Sequence, residues 1–182
     1  AGISYYKNNG YTLLLKDTKA TDSLWHHYHL HKKLKHDFTV NYHRIDIDFL
    51  NSQACDVWPQ FASATNYNFF KGNDPSKWAH NLKDYYKLTY ANLYQGINWE
   101  VISGPESVKH NFIIQAGYSA KAIQMKYQHQ SDISLINGQL KVVSSVGTVY
   151  EEKPFAFQLI EGDTVKVDCQ YELKGTGSNA RS

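Results

Sequence analysis

No run of 18 apolar residues occurs in this 182-residue chain, so no segment reads as a membrane-spanning helix. Charge of one sign is scarce as well. A formal net charge of +2 makes too weak a field to steer the chain toward nucleic acid or a membrane surface. Gly-x-Ser-x-Gly, Cys-x-x-Cys and a phosphate-binding loop are all missing, which removes sequence grounds for nucleophilic, dithiol or nucleotide chemistry. No leader precedes Ala1-Gly2-Ile3-Ser4, which pass at once into strand-like residues, the start expected of a cytoplasmic or a processed chain. Only two cysteines are present. Paired in an oxidising compartment, Cys55 and Cys169 would close a long loop worth about 4–5 kcal/mol. Unpaired, they behave as small core hydrophobes.

Aromatic side chains, by contrast, are abundant. With 14 Tyr, 8 Phe and 4 Trp the chain has apolar area for a real core, and far too much for a disordered segment. Together with β-branched residues and a single Met, this composition favours strands. Residues 3–16 read as a hairpin around Asn8-Asn9-Gly10, whose Asn-Gly would supply positive φ. Beyond Val40, His43, Ile45, Ile47 and Phe49 share one face while Arg44, Asp46 and Asp48 share the other. Ile97, Trp99 and Val101 alternate with Asn98 and Glu100, and Val108, His110, Phe112 and Ile114 with Lys109 and Asn111. Asn137-Gly138, set between two alternating runs, is the clearest type I′ hairpin signal. The expected fold is an all-β, antiparallel β-sandwich of two packed sheets. It forms a single domain over residues 1–173, or two small lobes sharing a core, followed by a flexible tail at 174–182. Residues 17–37 interrupt the alternation and read as a polar, His-rich excursion. One short helical turn is expected, capped by Ser76 and running through Ala79.

Four groups of residues invite chemistry. His26, His27, His29 and His31 suggest a metal site, because 27, 29 and 31 would share a face in a strand and imidazole suits zinc, copper or nickel. The plainer reading is a solvated loop, and no cofactor is expected. Asp46 and Asp48, with Asp37 and Asp56 nearby in sequence, supply paired carboxylates of the kind glycoside hydrolysis uses. Acids on an outward strand face are also simply its polar side. Gly72-Asn73-Asp74-Pro75-Ser76 reads as a stiff turn, and Trp78 after it as an anchor plugged into the core. Tyr85, Tyr86, Tyr90, Tyr94 and Trp99 crowd one segment. Exposed on a sheet, they would form a platform for stacking on sugar rings; otherwise they bury against a neighbouring sheet or domain.

The segment Gly72-Asn73-Asp74-Pro75-Ser76-Lys77-Trp78 also resembles a family signature. A Tyr-rich strand follows it, then Tyr90-Ala91-Asn92-Leu93-Tyr94-Gln95-Gly96-Ile97-Asn98, then Val108 to Ala120 with Phe112 and Gly117. These blocks resemble a bacterial extracellular domain found ahead of SBBP-type β-propeller repeats and in gliding-motility-associated surface proteins. In the family's second and third blocks Asn98, Asn111 and Ser119 stand where acids occur, which weakens a shared acidic centre. The resemblance implies a mature fragment of a secreted or cell-surface protein whose partners are downstream repeat or propeller domains. The expected role is a non-catalytic structural or adhesive module. The alternatives are a carbohydrate-binding module contacting surface glycan through Tyr85, Tyr90, Tyr94 and Trp99, and a hydrolase using Asp46 and Asp48.

Overall fold

The computed structural model describes residues 2–31, 39–105 and 107–175, with His31 described by its backbone alone. Asp37 and the tail from residue 176 lie outside the described residues. The strands are β1 (Gly2–Lys7), β2 (Gly10–Lys16), β3 (Tyr42–Phe49), β4 (Val57–Phe69), β5 (Ala79–Tyr94), β6 (Ile97–Ser103) and β7 (Val108–Ile114). They continue as β8 (Met125–Gln128), β9 (Asp132–Ile136), β10 (Gln139–Ser144), β11 (Gly147–Glu151), β12 (Ala156–Ile160) and β13 (Asp163–Val167), and every paired neighbour is antiparallel. The chain is an all-β sandwich protein. It divides into two compact units, Ala1–Leu50 with Gln124–Ser182, and Asn51–Ile123.

In the first unit one sheet runs β1-β2-β3-β8, a second β11-β10-β9, and β12 pairs with β13 alone. The alternation seen in the sequence is what builds its core. Tyr11, Ile47 and Tyr127 stand in one cross-strand row, and with Ile45 and Phe49 they are buried. Ile133, Leu140 and Val142 bury the inner side of the second sheet. Asn137 and Gly138 take φ of 53° and 83° between the paired residues Ile136 and Gln139, the expected type I′ turn.

The first hairpin turns differently. Lys7 pairs with Gly10, so Asn8-Asn9 form the turn and Gly10 opens β2. Gly10 has φ 152°, and a Cβ there would lie 2.1 Å from the Ile47 carbonyl oxygen. Glycine is required by the close approach of β3, not by the turn.

The segment expected to be an irregular excursion contains α1 (Thr18–His31), the one α-helix among the described residues. Asp17 caps it: its Oδ1 accepts from the Ala20 N–H at 3.2 Å. Ala20, Thr21, Leu24 and His27, at helical spacing, are its half-buried positions. The short helical turn expected near Ser76 is a 3₁₀ turn at Pro75–Lys77, capped by Asp74 rather than Ser76.

The second unit is a four-stranded meander, β4-β5-β6-β7. Its strand β4 runs through 13 residues. Pro59 is accommodated within β4 because that strand lies at the sheet edge, where proline's missing N–H costs no ladder bond. Gly96, with φ 68°, completes the Gln95-Gly96 turn from β5 to β6, and a Cβ there would run into the Tyr118 ring.

Gly10→Ala is expected to cost about 3 kcal/mol or more, because the Ile47 backbone cannot yield without opening the β2–β3 ladder. Urea denaturation measures this. A loss below about 1 kcal/mol would contradict the close approach of these strands.

Candidate functional site

The geometry of the second unit follows from one row of pairs. Val57, Tyr90, Trp99 and Phe112 face each other across all four strands. Tyr90 and Trp99 pack with ring centroids 4.4 Å apart, and both are buried, Trp99 at 0% exposure and Tyr90 at 3%. The next row, Trp58, Thr89, Glu100 and Asn111, therefore points to the opposite face. There Trp58 is 55% exposed, Thr89 donates to Gln60 Oε1 at 2.9 Å, and Lys87 pairs with Glu100.

Beside Trp58 the chain makes a fixed cleft. The loop before β4 is held to β5 by backbone bonds from Gln53 N–H to Leu93 O at 2.8 Å and from Ala91 N–H to Asp56 O at 3.0 Å. Asn92 bulges out of β5 with φ 53°, and its N–H donates to Asn98 Oδ1 at 2.8 Å. Asn98 thus serves as a backbone acceptor, a task for which an amide oxygen replaces a carboxylate. The cleft, of about 450 Å³, is lined by Gln53, Ala54, Cys55, Asp56, Trp58, Ala91 and Asn92. Burial, and then the Asp56 charge, push the Cys55 thiol above its ordinary pKa, so it is not a nucleophile at neutral pH. Cys55 and Cys169 are both half-buried and belong to different units.

The proposed aromatic platform is not formed as expected. Tyr90, Tyr94 and Trp99 belong to the core, and of the five only Tyr85, 41% exposed, and Tyr86, 58% exposed, face solvent. Alternation put these residues on strands but could not say which end of the long β5 is covered. Its distal half, with β4, exposes Phe61, Tyr67, Phe69, Phe70, Leu82 and Tyr86 as well. Trp78 is likewise not a core plug. It is half-buried at the hairpin end, edge-on to Phe70 at 5.2 Å, with its indole N–H donating to Gly72 O at 3.1 Å. Asp74 accepts from Ser76 N–H and Oγ, and these bonds hold its carboxyl below the usual range. The Gly72–Trp78 block is a local clasp.

The histidines lie on a helix, where 27 and 29 diverge by about 200° around the axis. The shared strand face that suggested a metal site does not exist. Among the described residues no group of three or more His, Cys, Asp or Glu is placed to hold a metal ion. His29 instead stacks on Trp25, with centroids 5.9 Å apart.

Asp46 lies on the outer face of β3 but is buried there by its neighbours, and both acids of the strand are already engaged. Asp46 accepts from Thr12 and from Arg44, whose Nε lies 2.9 Å away, with His129 Nε2 at 3.6 Å. Asp48 pairs with Lys7 at 2.6 Å and accepts from Gln128. Burial raises the Asp46 carboxyl, but Thr12 and Arg44 outweigh it and hold it below its ordinary pKa. Such a group makes a poor general acid. His43 bridges loops that are distant in sequence: Nε2 lies 2.6 Å from His129 O, while Nδ1 lies 2.9 Å from Ser145 Oγ and accepts from Ser145 N–H at 3.2 Å. No sequence motif could have announced this Ser–His contact, because the two residues are 102 positions apart.

Glu151 is the other titratable centre. The hydroxyls of Tyr127 and Tyr11, in their shared row, donate to its Oε1 at 2.8 and 3.3 Å. Burial raises the Glu151 carboxyl, against the lowering effect of these two bonds. Burial and the Glu151 charge push both tyrosine hydroxyls well up. In the second unit, burial lowers His110 to about 4, so it is neutral at pH 7 against the edge of Trp99.

A carboxyl whose folded pKa is raised contributes stability below its unfolded value and loses it as pH climbs through the folded value. Glu151→Gln keeps an oxygen acceptor for the tyrosines and removes the charge. Its stability relative to the parent is therefore expected to improve from pH 4 to pH 8, while Glu151→Leu, which strands two hydroxyls, costs about 2–4 kcal/mol throughout. Thermal melts across that range test this; a Gln difference that does not change with pH would contradict it.

No curated protein and no solved structure matches the chain. Residues 2–180 match the family model described as a domain of unknown function (DUF7948), and the chain belongs to that family.

Proposed function

We propose that this domain is a non-catalytic structural or adhesive module of a secreted or cell-surface bacterial protein. The observation that carries this reading is its bare strand surface. The distal β4–β5 hairpin exposes the aromatic side chains named above, Phe61 at 70%. The β12–β13 pair exposes Phe155, Phe157, Leu159, Ile160, Val165 and Val167. An isolated two-stranded ribbon is marginal in water, and apolar area on this scale marks a surface that another protein covers. Its partners are downstream repeat or propeller domains of the same full-length protein. The Gly72–Trp78 block supports that setting through its resemblance to surface proteins carrying SBBP repeats or associated with gliding motility. The paired state of Asp46 and Asp48 argues against the hydrolase alternative.

Hydrogen–deuterium exchange compares the isolated domain with a chain carrying the domains that follow it. Exchange at residues 67–82 and 156–167 is expected to slow at least about tenfold in the longer chain. Equal rates in both would overturn the proposed partners, and resistance of a tagged domain to protease on intact cells would overturn the surface location.

A further inference from the structure

The cleft beside Trp58 carries chemistry that the scaffold role does not use. Trp58 offers an indole face that is more than half exposed. Around it stand a carboxylate, Asp56, and two primary amides, Gln53 and Asn92, all exposed within the same cleft. Carboxylate oxygens accept from hydroxyls, and amides both accept and donate. An aromatic face covers the C–H side of a pyranose ring. A volume of about 450 Å³ falls within the range of small-ligand sites. The frame is rigid, since the Gln53–Leu93 and Ala91–Asp56 backbone bonds and the Asn92–Asn98 bond hold the three polar positions.

A second ring lies on the same face. Register pairs Trp58 with Thr89 and Ala62 with Tyr85, and residues 85, 87 and 89 of β5 share a side. Tyr85 is thus displaced from the Trp58 row by four residues, about 14 Å along the strand. Between the two rings run Gln60 and Lys87. Lys87 is neutralised by Glu100 at 2.5 Å, and among the described residues no metal-ligand cluster accompanies the two rings.

We infer that this face is a binding site for a neutral oligosaccharide, with one sugar ring stacked on Trp58 and hydrogen-bonded by Asp56, Gln53 and Asn92, and the chain continuing toward Tyr85. The site differs from the platform read from the sequence, since Tyr90, Tyr94 and Trp99 take no part. It also stands apart from the scaffold role, which concerns the far end of the hairpin and the β12–β13 ribbon.

The test is a printed array of neutral hexose and N-acetylhexosamine oligosaccharides, followed by calorimetric titration with di- to hexasaccharides of whichever backbone binds. Binding is expected to tighten with chain length until the oligosaccharide spans both rings. Trp58→Ala should weaken it at least about tenfold and Asp56→Asn severalfold, while Tyr85→Ala should weaken only the longer oligosaccharides. Trp25→Ala, at an exposed tryptophan of the other unit, should change nothing. Melting temperatures confirm that each variant is folded, which the exposure of Trp58 and Tyr85 favours. No binding on the array, or binding indifferent to Trp58→Ala, overturns the inference. Neither result touches the exchange comparison, so the scaffold reading stands or falls separately.

Discussion

A single row of side chains, Val57, Tyr90, Trp99 and Phe112, crosses the whole sheet of the second unit, and everything else there depends on its register. The Tyr90–Trp99 contact at 4.4 Å sits at its centre. Because side chains alternate along a strand, fixing this row inward fixes Trp58, Thr89 and Glu100 outward. A slip of one residue would exchange the two sets, carrying the Lys87–Glu100 ion pair from a partly covered face into the core and exposing Trp99. The cost of burying those charges makes the alternative register uncompetitive. The same row anchors the loop before β4, and so the cleft is a consequence of core packing rather than an independent feature.

The first unit obeys the same constraint with a polar addition. Tyr11 and Tyr127 flank Ile47 in one row of the first sheet, and both hydroxyls reach Glu151 on β11 of the other. A carboxylate between two sheets is costly without partners, and the tyrosines supply them. On the outer side of the first sheet the charges are paired with equal economy, Lys7 and Arg44 serving Asp48 and Asp46. Two strand surfaces lack such treatment. The distal β4–β5 hairpin and the β12–β13 ribbon present aromatic and aliphatic side chains to solvent. The contrast within one chain is what gives those surfaces functional meaning.

The sequence carried the fold class well and the site poorly, for physical reasons. Period-2 alternation is a local signal, so the faces of β3, β6 and β7 and the Asn137-Gly138 turn could be read directly. Alternation also separates Trp99 from Asn98, yet it is silent on whether a face is covered. Hence Tyr90, Tyr94 and Trp99 could be read either as part of a platform or as part of a core. Helix α1 was missed because four histidines drew attention to a strand face. The signals were present: Asp17 as a cap, no Gly or Pro from Tyr11 to Trp58, and Ala20, Leu24 and His27 at helical spacing. Trp58 escaped notice because its neighbours Pro59 and Ala62-Ser63-Ala64 weaken the strand pattern, and the cleft partners Asn92 and Gln53 meet it only through pairing of β4 with β5. Asp46 shows the converse limit. A polar face was correctly read, but the depth at which Thr12 and Arg44 enclose the carboxylate depends on neighbouring strands.

The claim on which the rest hangs is that Trp99 faces inward while Trp58 faces out. Hydroxyl-radical footprinting with mass spectrometry reads both indoles in one experiment on the unmodified protein. The account predicts rapid oxidation of Trp58 and of Trp25, with Trp99 protected at least about tenfold relative to them. Trp99 oxidising as fast as Trp58 would contradict the register, and with it the cleft.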